Sequence, residues 1–145
     1  MQTTSAQPLQ AGAEASDRSN SKARIPAIIV RTLLGLAFVV FGSNAFLQFM
    51  PMPPPQGLSG DFTKALFVSH YFYAVAILQL VGGALLLIGR FVPLGLTLLG
   101  PVIVNILLFH IFLDRNGLPI ACIVSALALF LLWVNRDAFR GLLRP

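Results

Sequence analysis

Four long apolar stretches dominate the chain, and polar or proline-rich segments separate them. They cover about residues 25–49, 70–89, 91–113 and 118–134. A helix that crosses the hydrocarbon of a bilayer takes about 17–25 residues. Backbone groups in lipid have no water to bind, so spans of this kind form helices. The pattern predicts an all-α integral membrane protein, an antiparallel bundle of four transmembrane helices within residues 25–142.

The segments outside the spans differ from each other in composition. Residues 1–24 are rich in Ser, Ala and Gln without apolar periodicity, which predicts a disordered cytoplasmic tail. No apolar core with a cleavage site is evident there, so no removable signal peptide is expected. The outer connector, residues 50–69, begins with a stiff proline run and continues as a short amphipathic helix over residues 58–69. It is either a lid over one end of the bundle or a plain rigid linker.

Composition and charge agree with a lipid environment. The chain is 57% hydrophobic and 10% charged, whereas a soluble domain carries about 25% charged residues. The net charge of +5 does not indicate nucleic-acid binding, because the basic residues stand at the ends of spans. Only Lys64 and Arg115 fall on one side of the four spans. Under the positive-inside rule, both termini are predicted to be cytoplasmic, in the inner (plasma) membrane of a bacterium. The basic residues on the terminal side are Arg18, Lys22, Arg24, Arg31, Arg90, Arg136, Arg140 and Arg144.

Catalytic signatures are missing from the sequence. It has one cysteine, Cys122, and two widely spaced histidines, which match no zinc-binding pattern. It has no glycine-rich phosphate loop and no nucleophile with a neighbouring base. We therefore predict no catalytic residue, no metal ion and no resident cofactor, and we do not expect an enzyme that acts on its own.

The polar residues inside the spans gather in the predicted outer half. Polar groups in hydrocarbon should face protein or a wet cavity. The sequence thus offers a ligand pocket beneath the connector, with packing between helices as the alternative. Asn105 and His110 are five residues apart on the third span and point about 140° away from each other. Both line one cavity only if the helix kinks at Pro101. The candidate ligand-binding residues are Asn44, Gln48, Gln79, Asn105 and His110.

Small residues mark faces for close helix contact. Gly35 and Gly42 are seven residues apart in the first span, and the fourth span carries Ala121, Ser125 and Ala128. These faces either pack inside one bundle or join two copies as a homodimer. A single arginine inside the first span, Arg31, either snorkels to the interface or makes a contact within the bundle.

Three runs of this sequence resemble a known family. FGSNAFLQFMPMPPP, QLVGGALLLIGRFVPLGL and GPVIVNILLFHIFLDRNGLP are similar to segments of the DoxX-like family of small four-helix bacterial membrane proteins. The resemblance covers about residues 31–142. It implies an accessory subunit of a membrane redox system, since relatives include subunits associated with thiosulfate:quinone oxidoreductase. It also implies a quinone-like or lipid-like ligand in the outer half.

The chain departs from that family in two ways. It has no paired cysteines, so thiol redox chemistry is not expected. Gln79 stands where relatives often have Glu, so a proton-carrying role is not expected there either. The residues also leave open a membrane interaction or assembly protein without ligand chemistry. A small-solute transporter has less support, because no charged relay lies near the midplane.

Overall fold

Helices make up almost all of the described residues. The structure, a computed structural model, describes the backbone of residues 7–51 and 55–140 and the side chains of residues 24–51 and 55–139. The helices are α1 (Gln7–Leu47), α2 (Gly57–Val68), α3 (Tyr71–Ile88), α4 (Val92–Phe112), α5 (Leu118–Val134) and α6 (Arg136–Arg140), with a 3-10 turn at Arg115–Gly117. No strand occurs within these ranges.

Four of the segments are long and apolar enough to cross a membrane. They are Arg24–Leu47, Tyr71–Ile88, Val92–Phe112 and Arg115–Val134. The prediction of an all-helical chain with four such helices is confirmed, and their ends lie within a few residues of the expected ones.

The start of α1 differs from the prediction. Its backbone is helical from Gln7, where the sequence predicts a disordered tail and a helix that begins near residue 25. The stretch before Pro26 contains Ala, Gln, Glu, Lys and Arg, which are good helix formers. Pro26 therefore lies inside the helix rather than in its first turn, where it removes one backbone hydrogen bond. Residues 1–6 of the predicted tail lie outside the described ranges.

The four long helices pack as a ring in which α3 lies between α1 and α4, and α5 closes the ring against α4 and α1. Helices α1 and α4 are therefore diagonal. Each helix contributes one fully buried leucine to the centre, Leu34, Leu86, Leu99 and Leu131. Many large apolar side chains lie instead on the outer surface of the ring, such as Ile29 and Leu129.

Adjacent glycines in α3 allow both neighbouring helices to come close. A Cβ on Gly83 would lie 2.8 Å from the carbonyl oxygen of Gly35 in α1. A Cβ on Gly82 would lie 2.6 Å from Cγ of Leu99 in α4. A Cβ on Gly42 of α1 would lie 3.0 Å from the carbonyl oxygen of Ala76 in α3. The glycine face of α1 thus packs within the bundle.

The small residues of α5 also face inward. Ala121 and Ala128 are buried, and the Ser125 hydroxyl donates to the Ala121 carbonyl in its own helix. Neither small-residue face is therefore left open for a second copy of the chain.

The predicted helix in the connector is confirmed as α2, which packs against α3. The Phe62 ring lies 5.9 Å from that of Phe109 in α4, and Phe67 stacks on Phe72 of α3 at 4.3 Å. These two aromatic contacts attach α2 to the bundle. Part of the proline run, residues 52–54, lies outside the described ranges.

Candidate functional site

Asn44 closes the end of α1. Its side-chain Oδ1 accepts a hydrogen bond from the Met50 N–H at 2.8 Å, and its Nδ2 donates to the Met50 carbonyl at 3.5 Å. Between them, Gln48 has a left-handed backbone with φ +49° and an exposed side chain. The Asn44 amide therefore satisfies the backbone where the helix ends, instead of pointing at a ligand.

His110 joins the end of α4 to the 3-10 turn. Its Nδ1 lies 2.9 Å from the carbonyl oxygen of Asp114. A carbonyl oxygen only accepts, so this nitrogen carries the proton and donates. The imidazole also packs directly over Gly117 and meets the Phe109 ring edge-on at 5.2 Å. The Asp114 carboxylate accepts from the Asn116 N–H at 3.1 Å.

The two remaining amides have no hydrogen bond to any described residue. Gln79 is half-buried on α3, and its Cβ lies against Gly42 of α1. Asn105 is exposed on the outer surface of α4. No hydrogen bond within the described ranges joins the side chains of any two predicted pocket residues. The shared pocket stays a prediction, while Asn44 and His110 have local partners and Asn105 faces outward.

Arg31 makes a contact within the bundle, which is one of the two possibilities that the sequence left open. Its Nη1 donates to the carbonyl oxygen of Gly89 at 3.3 Å, and its Nε is buried without a partner in the described ranges. Gly89 ends α3 with φ +76°, and a Cβ there would overlap the guanidinium. A cation at the carboxyl end of a helix binds unsatisfied carbonyls and the negative end of the helix dipole. Arg31 therefore links α1 to the end of α3, a long-range contact that spacing alone does not reveal.

One face of α4 is open while the opposite face is packed. The residues of α4 in the core are Val92, Gly95, Leu96, Leu99, Val102 and Ile103. On the open face, the Thr97 hydroxyl donates to the Pro93 carbonyl of the same helix at 2.9 Å. Asn105 is thus the one side chain of this face whose polar atoms have no partner within the described ranges. It lies three residues past the middle of α4, about 4.5 Å along the axis.

The described ranges contain no group of three His, Cys, Asp or Glu side chains that could hold a metal ion.

Comparison with known proteins identifies an uncharacterized relative. No family model and no solved structure matches the chain. The uncharacterized protein YwoB of Bacillus subtilis (strain 168) is 30% identical over 116 residues, which cover 76% of this chain and 72% of that protein. The chain therefore belongs to the same family as YwoB.

Proposed function

We propose that this protein crosses a bacterial inner membrane four times and acts there as an accessory or assembly subunit through the open face of α4. The outward placement of large apolar side chains supports insertion, because such a surface is stable in lipid and not in water. The charges support an orientation with both termini in the cytoplasm. Arg24, Arg90 and Arg136 are exposed at one end, while Lys64 and Arg115 are exposed at the other.

The exposed amide of Asn105, which has no hydrogen bond within the described ranges, is the main support for this proposal. In the proposed orientation its amide lies near the middle of the hydrocarbon layer. An amide that finds no hydrogen bond in an apolar medium is unstable there by about 2–7 kcal/mol. A partner helix that supplies donors and acceptors removes this cost, and interhelical hydrogen bonds of this type hold membrane helices together. A bundle whose own chain leaves that amide exposed is suited to association with another helix.

The redox part of the proposal rests on the resemblance to DoxX-like proteins. It favours a membrane redox enzyme as the setting in which such a subunit works. Within the described ranges, the open face offers apolar side chains, one free amide and the Thr97 hydroxyl that bonds within α4, with no acid, base or metal ligand beside them. Association, rather than chemistry, is what these side chains can supply.

A quinone-like ligand is the second candidate. One observation favours it, since the exposed Asn105 amide is reachable from lipid and can donate to a carbonyl oxygen. Asn44 and His110 Nδ1 already bind backbone groups, so a ligand would depend mainly on Asn105. Purified protein would then bind a quinone analogue, Asn105→Leu would weaken that binding, and Asn44→Ala would not. Absence of any binding removes this candidate.

Photocrosslinking in membranes tests the association directly. A photoreactive amino acid replaces Asn105 in one variant and Leu129 in another. Leu129 of α5 is 65% exposed and serves as a control for a side chain that faces lipid. We expect protein adducts from position 105 and lipid adducts from position 129. Lipid adducts alone from both positions would contradict the proposal.

A further inference from the structure

We infer that the partner at the open face of α4 is a second copy of this chain, bound through a parallel α4–α4 contact in which the two Asn105 amides bond to each other. This inference rests on the proposed function and names its partner. Three observations lead to it, namely the chemistry of the amide, the spacing of the residues along α4, and the occupation of the other faces.

The chemistry of Asn105 suits pairing with itself. Two copies inserted in the same orientation are related by a two-fold axis along the membrane normal. Such an axis places a residue near it opposite the same residue of the other copy, at the same depth. An Asn side chain has both an acceptor oxygen and donor N–H groups, so two of them can exchange hydrogen bonds. An arginine or a carboxylate at this position would repel its copy.

The spacing along α4 matches a coiled-coil seam. The residues Leu94, Leu98, Pro101, Asn105, Leu108 and Phe112 follow one another at intervals of 4, 3, 4, 3 and 4. This is the heptad spacing of the a and d positions, with Asn105 at an a position. An Asn at a single a position fixes the register and the number of helices in such contacts.

The exposure of these residues agrees with a contact to another molecule. Leu94, Leu108 and Phe112 are 52%, 46% and 76% exposed, and Asn105 is exposed too, while Leu98 is half-buried. They form a continuous strip on the side opposite the buried Leu99 and Ile103. We call the six heptad positions the α4 seam.

The other faces suited to close contact are already used. Gly35 and Gly42 lie against α3, and Ala121 and Ala128 are buried in the ring. The α4 seam is therefore the face that combines heptad spacing with an unbonded polar group inside a span.

Disulfide cross-linking in membranes tests the inference. In a chain with Cys122→Ala, the variant Leu108→Cys places a thiol on the seam and leaves Asn105 intact. The variant Leu129→Cys places one on the exposed face of α5 as a control. We expect oxidation to give a dimer with Leu108→Cys and little with Leu129→Cys.

Asn105→Leu, added to Leu108→Cys, replaces the amide by an apolar side chain of similar size. We expect the dissociation constant of the dimer, measured by energy transfer between labelled copies, to rise about 10-fold. Thr97→Val is the matched control, because that hydroxyl bonds within its own helix and its loss should leave the dimer unchanged. Thermal unfolding of each variant establishes that the bundle itself still folds.

The outcomes separate the two proposals. A dimer that forms equally well with Asn105→Leu overturns the inference. Absence of a Leu108→Cys dimer, together with photoadducts from position 105 to a different protein, overturns the inference and leaves the proposed function standing. Absence of the dimer together with lipid adducts alone overturns both.

Discussion

Substitution of Gly83 by Ala should destabilise the bundle, because the backbones of α1 and α3 leave no room for a Cβ at this residue. The added Cβ would lie 2.8 Å from the Gly35 carbonyl oxygen and 3.1 Å from the Val39 backbone nitrogen. Ordinary contact begins near 3.4 Å, so the helices must separate by about 0.6 Å. Both atoms belong to the backbone, and no rotamer change can move them away.

The magnitude follows from two opposing terms. Overpacking of a close contact costs about 1–3 kcal/mol. Ala is favoured over Gly inside a helix by about 1 kcal/mol. Because rigid backbone atoms make the contact, we place the overpacking in the upper part of its range. We therefore expect Gly83→Ala to lower the free energy of unfolding by about 1–2 kcal/mol.

Gly100→Ala is the matched control. Gly100 is also inside a helix, but a Cβ there would meet no atom within 4 Å. Only the helix-propensity term acts, so this variant should be as stable as the parent or more stable by up to about 1 kcal/mol. Both variants are compared by denaturant unfolding in bicelles, followed by circular dichroism. Equal stability of Gly83→Ala and the parent, or an equal loss in both variants, would refute close backbone packing at Gly83.

Three further changes test other parts of the structure. Arg31→Gln should lower the free energy of unfolding by about 1–2 kcal/mol, because the charged donor at the end of α3 is lost. Arg24→Gln is the control and should have little effect, because Arg24 is exposed. Equal melting temperatures for these two variants would contradict the assigned role of Arg31. His70→Gly should raise the free energy of unfolding by about 1 kcal/mol, because His70 has φ +62° and Gly adopts this conformation without strain. A loss of stability, seen by the same unfolding assay, would show that contacts of the imidazole outweigh the backbone term. In a cysteine-free chain, a membrane-impermeant thiol reagent outside intact cells should label Lys64→Cys and should not label Arg136→Cys. The reverse pattern would invert the proposed orientation.

The sequence predicts the helices well, because hydrocarbon length and backbone satisfaction leave few alternatives for long apolar stretches. The connector helix α2 was also readable from its amphipathic pattern. The start of α1 could not be predicted in this way, because a helix that is polar on all sides shows no apolar periodicity before Pro26.

The candidate site was harder to predict, because depth in a membrane does not determine which atom a side chain binds. Asn44 and His110 bind backbone groups six and four residues away along the chain, which local capping can satisfy without any pocket. Asn105 faces outward because the opposite side of α4 packs in the core, and which side of a uniformly apolar helix packs is a property of the whole ring. The contact between Arg31 and Gly89 joins residues 58 positions apart, beyond the reach of spacing arguments. The heptad spacing around Asn105, by contrast, is visible in the sequence.

A density map of the protein in lipid nanodiscs would show what covers the open face of α4. We expect a transmembrane helix of another molecule against Asn105, at the depth of its amide. Acyl-chain density along the whole length of α4, with lipid in contact with Asn105, would rule out association through this face.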